Sequence, residues 1–88
     1  MVETEISELR EKVDAVDDQI LHDLLQRVKI CRAIGELKKQ QGKPVHDIHR
    51  ETEVLNRMKD HAERLKLDPV QVERIYREIV NMCSSVQQ

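Results

Sequence analysis

The chain has 88 residues, 36% of them charged, with 15 Lys and Arg against 17 Asp and Glu for a formal net charge of −2. Tyr76 is its one aromatic residue, which excludes base-stacking nucleic-acid modules, and the interleaved charges offer no polybasic block for DNA or an anionic membrane. Acids precede the first apolar run, no signal-peptide pattern opens the chain and no window reaches transmembrane length, so a cytoplasmic protein is expected. A single domain spanning residues 1–88 is expected, and at this size only about 60 to 65% of the unfolded surface is buried, so a lone core is marginal. That core must come from Ile, Val, Leu, Met and Ala, which favours an all-α fold.

The first predicted element is the proline-free run Ile6 to Gln41, about 36 residues, reading as one helix of about 54 Å. It starts near Thr4 or Ile6, where Glu3, Glu5 and Glu8 suit the positive helix end, and stops at Gly42, Lys43 and Pro44. A compact globule of this length has a radius of gyration of about 12 Å, so the helix outruns any monomer and a partner chain is its natural cover. Heptad positions a and d fall on Ile6, Leu9, Val13, Val16, Ile20, Asp23, Arg27, Ile30, Ile34 and Leu37, an apolar seam broken only by Asp23 and Arg27. A cation on such a stripe loses several kcal/mol of hydration unless an anion or a hydrogen-bonding network replaces the water. Gly35 has two readings of equal weight: close packing of another helix on a bare backbone, or room for a ligand beside Lys38.

A second helix is predicted from an N-cap at Asp47 to about Leu65, with Ile48, Leu55, Met58, Ala62 and Leu65 facing inward. A short connection at Leu67 leads to a third helix, with Asp68 as N-cap, Pro69 at the first position and Gln71 three residues after the cap. It continues through Val72, Ile75, Tyr76, Ile79, Met82, Cys83 and Val86. The expected architecture is one long helix and two shorter ones per chain, with short connections making neighbours antiparallel. Cys31 and Cys83 lack any metal-ligand spacing and are expected to be reduced structural thiols, with no disulfide.

Charge spacing locates candidate chemistry. Arg27 and Lys38 are eleven residues apart, within about 20° of one helix face and about 16 Å along the axis, so their side chains reach one small anion. Arg10 lies about 25 Å from Arg27 along the same helix and joins such a site only from a partner's helix. The competing reading is that Asp23 neutralises Arg27, Asp14 pairs with Arg10 and Lys38 is solvated. Asp47, Arg50 and Glu51 form a second cluster at the start of helix 2. His46 and His49 are expected to be surface histidines, and no metal is expected. With no GxSxG, P-loop or GxGxxG pattern, no nucleophile is identified, and catalysis would rest on binding and electrostatics.

The segments LREKVDAVDDQIL, GELKKQQGKPVHDIHRE and LDPVQVERIYREIV, with the position of Arg27, resemble the all-helical chorismate mutases across nearly the whole chain. The resemblance implies conversion of chorismate to prephenate by an intramolecular Claisen rearrangement in an intertwined helical homodimer, with no cofactor. It further implies that Arg27 and the partner's Arg10 bind the two carboxylates. Lys38 would contact the ether oxygen and the nearby carboxylate, Gln87 donate to the ether oxygen, Glu51 and the Asp47 region receive the ring hydroxyl, and Arg50 support that cluster. This chain departs from the family at Cys83, where a serine that helps hold a carboxylate is frequent. Two alternatives on the same fold are an isochorismate pyruvate lyase and a non-catalytic ligand-sensing domain. A plain coiled-coil dimerisation module gives no reason for Arg27 in the seam.

Overall fold

A computed structural model describes residues 2–88 as three helices: α1 (Val2–Gln41), α2 (Ile48–Arg64) and α3 (Pro69–Gln87). The 40 residues of α1 span the length of the molecule, whose principal extents are 61 × 24 × 15 Å and whose radius of gyration is 16.9 Å. That exceeds the roughly 12 Å of a compact chain because the first half of α1 has nothing packed on it. The helix already includes Val2, upstream of the predicted start near Thr4 or Ile6, and Glu3 and Glu5 in its first turn complement the helix dipole.

Chain reversal after α1 follows from Gly42. Its φ of +67° lets the Lys43 amide donate to the Lys38 carbonyl (2.8 Å) and the Gly42 amide to that of Lys39 (3.2 Å), which closes the helix. Asp47 then caps α2 by accepting from the Arg50 amide. Leaving α2, the chain uses the same left-handed turn with Lys66 at φ 60°, a conformation that costs a non-glycine residue about 1 kcal/mol. Asp68 accepts from the amides of Val70 (2.9 Å) and Gln71 (3.4 Å), with Pro69 behind it, and starts α3 where the sequence predicts.

α3 is the middle layer, packing against both α1 and α2, whose backbones do not pack on each other among the described residues. The contact is built on Cys31 and Gly35 of α1, Val54 and Ala62 of α2, and Val80 and Cys83 of α3, all buried. The inward face expected for α2 needs correction: Ile48 and Leu65 are exposed, Val54 and Ala62 are buried, and Leu55 and Met58 are half-buried. Because α2 touches only α3, the two residues at its ends lie beyond the contact. Lys59 and Glu73 bridge the same pair of helices at 3.6 Å.

Of the two readings of Gly35, the structure has the close packing. A Cβ there would stand 2.9 Å from the Gln87 Cα, so α3 approaches α1 to a distance only glycine permits. No described helix is long and apolar enough to cross a membrane.

Candidate active site

A cavity of about 320 Å³ opens where the C-terminal half of α1, the start of α2 and the last turns of α3 converge. From α1 it takes Arg27, Cys31, Ile34 and Lys38, spaced by four, three and four residues as one helix face requires. From α3 it takes Val80, Cys83, Ser84 and Gln87, the same periodicity on the facing helix. Val45 and Asp47 from the connection, and Arg50, Glu51 and Val54 from α2, close the third side. Arg27, Lys38, Asp47, Arg50, Glu51, Cys83 and Gln87 are thus brought together, and Arg10 is not: it is exposed on the uncovered half of α1.

Lys38 is half-buried, and its ammonium donates to the Val45 carbonyl (2.7 Å) and to Gln87 Oε1 (2.8 Å). The glycine turn at Gly42 makes the first bond, because it folds Val45 back over the last turn of α1. The closeness at Gly35 makes the second. Two of the three ammonium protons are thereby committed and one remains for a ligand. A cation can only donate, so Gln87 must present its oxygen to Lys38, which leaves its NH₂ to donate elsewhere, toward Cys31 and the cavity.

Arg27, also half-buried, does not pair with Asp23, whose Oδ1 accepts from Gln19 at 3.1 Å instead. Its Nη1 points at the Cys83 sulfur and lies 3.9 Å from that of Cys31. Thiols are weak acceptors, and among the described residues no carboxylate lies within ion-pair distance of Arg27, so the guanidinium keeps most of its capacity for an anion. The two cysteines, far apart in sequence, meet at this point as free thiols. Burial, helped by the hydrogen bond and charge of Cys83, pushes the Cys31 thiol above its ordinary pKa, against the opposing pull of Arg27.

The α2 side carries the acids. Asp47 uses one carboxylate oxygen as the helix cap. Glu51 accepts from Ser84 at 3.1 Å and has His46 3.9 Å away. Arg50 lines the cavity, yet its guanidinium turns outward to Glu53 (3.2 Å). His46 and His49 are exposed, and among the described residues no group of three His, Cys, Asp or Glu side chains converges as metal donors.

Sequence reasoning missed Cys31, Ile34, Ser84 and the Val45 carbonyl as parts of this site. Cys31 and Ile34 share the helical face of Arg27 and Lys38, so periodicity alone would have found them. Ser84 and Val45 had no such signal, because their place depends on how α3 and the α1–α2 turn pack.

The type II chorismate mutase family model matches residues 9–88. A 3-dehydroquinate dehydratase of Pyrobaculum aerophilum is 37% identical over 79 residues, 90% of this chain and 23% of that protein. A bifunctional chorismate mutase/prephenate dehydratase of Aquifex aeolicus is 33% identical over 86 residues, 94% of this chain and 24% of that protein. The chain therefore spans about a quarter of the length of these two relatives. A chorismate mutase of Methanocaldococcus jannaschii is 29% identical over 63 residues, covering 72% of this chain and 64% of that one. Among solved structures, a conserved hypothetical protein from Pyrococcus furiosus superposes with a TM-score of 0.80 at 33% identity, covering 97% of both chains. With residues 9–88 matched by the family model, this chain belongs to the type II chorismate mutases.

Proposed function

We propose that the cavity binds chorismate and converts it to prephenate, and that the working unit is a homodimer in the cytoplasm. One observation carries the reading: Arg27 and Lys38, two cations without a carboxylate partner among the described residues, face one cavity together with the Gln87 amide. Chorismate is a dicarboxylate with an ether oxygen between its reacting parts, so these groups match its charges.

The reaction is intramolecular. The ether C–O bond breaks while a C–C bond forms within the same molecule, with no proton gained or lost and no cofactor required. Arg27 holds one carboxylate, which favours the compact conformer in which the reacting carbons approach. As the C–O bond lengthens, negative charge grows on the ether oxygen, toward which the third Lys38 proton and the Gln87 NH₂ donate. A millionfold acceleration corresponds to about 8 kcal/mol, within reach of conformer selection plus a few preorganised hydrogen bonds to charged groups. Glu51 and the free oxygen of Asp47 are acceptors for the ring hydroxyl, and Cys83 stands beside the carboxylate held by Arg27.

The second carboxylate is assigned to Arg10 of a second copy. An antiparallel pair of α1 helices crossing at the midpoint of Val2–Gln41 sets Arg10 opposite Ala33, between Arg27 and Lys38. The exposed stripe of Ile6, Leu9, Val13, Val16 and Ile20 supports that pairing, since burial in such a pair removes it from water.

Purified protein is expected to deplete chorismate absorbance with prephenate as product. Failure of the wild-type chain to rearrange chorismate overturns the reading, and formation of salicylate and pyruvate from isochorismate replaces it with a lyase.

A further inference from the structure

Glu51 belongs to α2, whose backbone packs on α3 and not on α1, and among the described residues no α1 side chain is hydrogen-bonded or ion-paired to its carboxylate. Its tie to the rest of the site runs through α3: the Ser84 hydroxyl donates to Glu51 Oε1 at 3.1 Å, and both residues line the cavity. His46 stands 3.9 Å from the same oxygen. Oε1 thus accepts one hydrogen bond, from Ser84, with His46 beyond hydrogen-bond distance, while Oε2 has no hydrogen-bond partner among the described residues.

The terminal torsion of a glutamate is broad and nearly two-fold, so an untethered carboxylate samples many orientations. Fixing one oxygen removes that freedom and presents the other as an acceptor in a single direction. Ser84 follows Cys83 by one residue, and the two face different parts of the cavity, Cys83 toward Arg27 and Ser84 toward Glu51. The last turns of α3 therefore serve both the anion-binding end and the hydroxyl-accepting end.

We propose that Ser84 is a positioning residue that locks the Glu51 carboxylate for recognition of the ring hydroxyl of the substrate, a role resting on the reading of the site as a chorismate mutase. Ser84 acts through Glu51 and does not itself touch the substrate.

The test compares chorismate with an analogue that keeps the ether and both carboxylates but lacks the ring hydroxyl. Ser84→Ala lowers kcat/KM on chorismate about tenfold, mainly through KM, and lowers it less than about twofold on the analogue. Ser84→Thr, which retains a hydroxyl, restores kcat/KM on chorismate to within about threefold of wild type. In a Glu51→Ala background, Ser84→Ala costs less than about twofold, because its target is gone. Equal losses on both substrates, failure of threonine to rescue, or an undiminished Ser84→Ala loss in the Glu51→Ala background each overturn the proposal. These results all presuppose a wild-type chain that rearranges chorismate. A wild type inert toward it overturns the functional reading instead, so the two failures are distinct.

Discussion

The two halves of α1 carry the same heptad seam, whose apolar positions stay open to solvent in both, at Ile20 as at Ile30, Ile34 and Leu37, but only the second half presents a further face to α3. From Leu24 onward the helix lies against α3, buries Cys31 and Gly35, and half-buries Arg27, Val28 and Lys38. Residues 2–23 are exposed throughout, with Leu9, Val13 and Val16 each 58% accessible to solvent. Periodicity in a helix states which face wants cover and is silent about what supplies it. The half covered from within one chain became a cavity wall. The half left open carries the one candidate residue, Arg10, that the cavity lacks.

Five experiments break or sharpen this contrast, from the largest effect to the smallest. Removing the ammonium in Lys38→Ala is expected to lower kcat about 10²-fold to 10³-fold at unchanged helicity by circular dichroism. Arg10→Ala and Arg27→Ala chains, each nearly inactive alone, are expected to regain activity when mixed, since a hybrid dimer contains one site with both arginines. No recovery despite proven subunit exchange would separate the open half of α1 from the chemistry.

Val13→Asp places a charge in the middle of the exposed stripe. For an isolated chain it is harmless, whereas in a buried seam it costs several kcal/mol and should raise the dimer dissociation constant by more than about 10²-fold. Sedimentation velocity distinguishes the two cases. Unchanged assembly would mean that the stripe is not the interface.

Gly35→Ala strikes the covered half. Alanine gains about 1 kcal/mol in helix propensity, but its Cβ meets the Gln87 backbone and must push α3 away. The net destabilisation is expected to be about 1 to 2 kcal/mol by thermal denaturation. Activity should fall further than stability does, because the displaced residue is Gln87. A stabilised and fully active variant would contradict the close approach.

The smallest effect concerns pH. Burial raises the Cys31 pKa in the folded state, so the folded protein holds that proton more tightly than the unfolded chain. The resulting stability is complete below the ordinary thiol value of 9.0 and is lost as pH rises through the folded value. Unfolding midpoints should therefore fall above about pH 9, and Cys31→Ala should flatten that slope. In the other direction, Gln87 does not titrate, so activity should not climb steeply below pH 6 as it would with a carboxyl group in its place.

Much of the fold was legible because its signals are local. Gly42 before Lys43 and Pro44, Asp47, and Asp68 with Pro69 act through the backbone groups of their own turns, and each stands at a helix end as predicted. The inward face of α2 was less legible: an apolar residue at a helix end reads as core, yet Ile48 and Leu65 lie past the reach of α3. In the site, the shared face of Arg27 and Lys38 followed from helical geometry alone. The Asp23 and Arg27 pair, equally allowed by spacing, did not form, because Arg27 turns to α3 and Asp23 to Gln19.

By itself the sequence determined three helices, a break in the apolar seam at Arg27, and the separation of Arg10 from Arg27 along one rigid rod. These depend on a constant rise and twist per residue, which no packing alters much. The tertiary structure decided the rest: that Gly35 admits Gln87 to Lys38, that two cysteines 52 positions apart meet under Arg27, and that Ser84 holds Glu51. Each of these joins residues on different helices, and the distance between helices is set by the side chains packed between them.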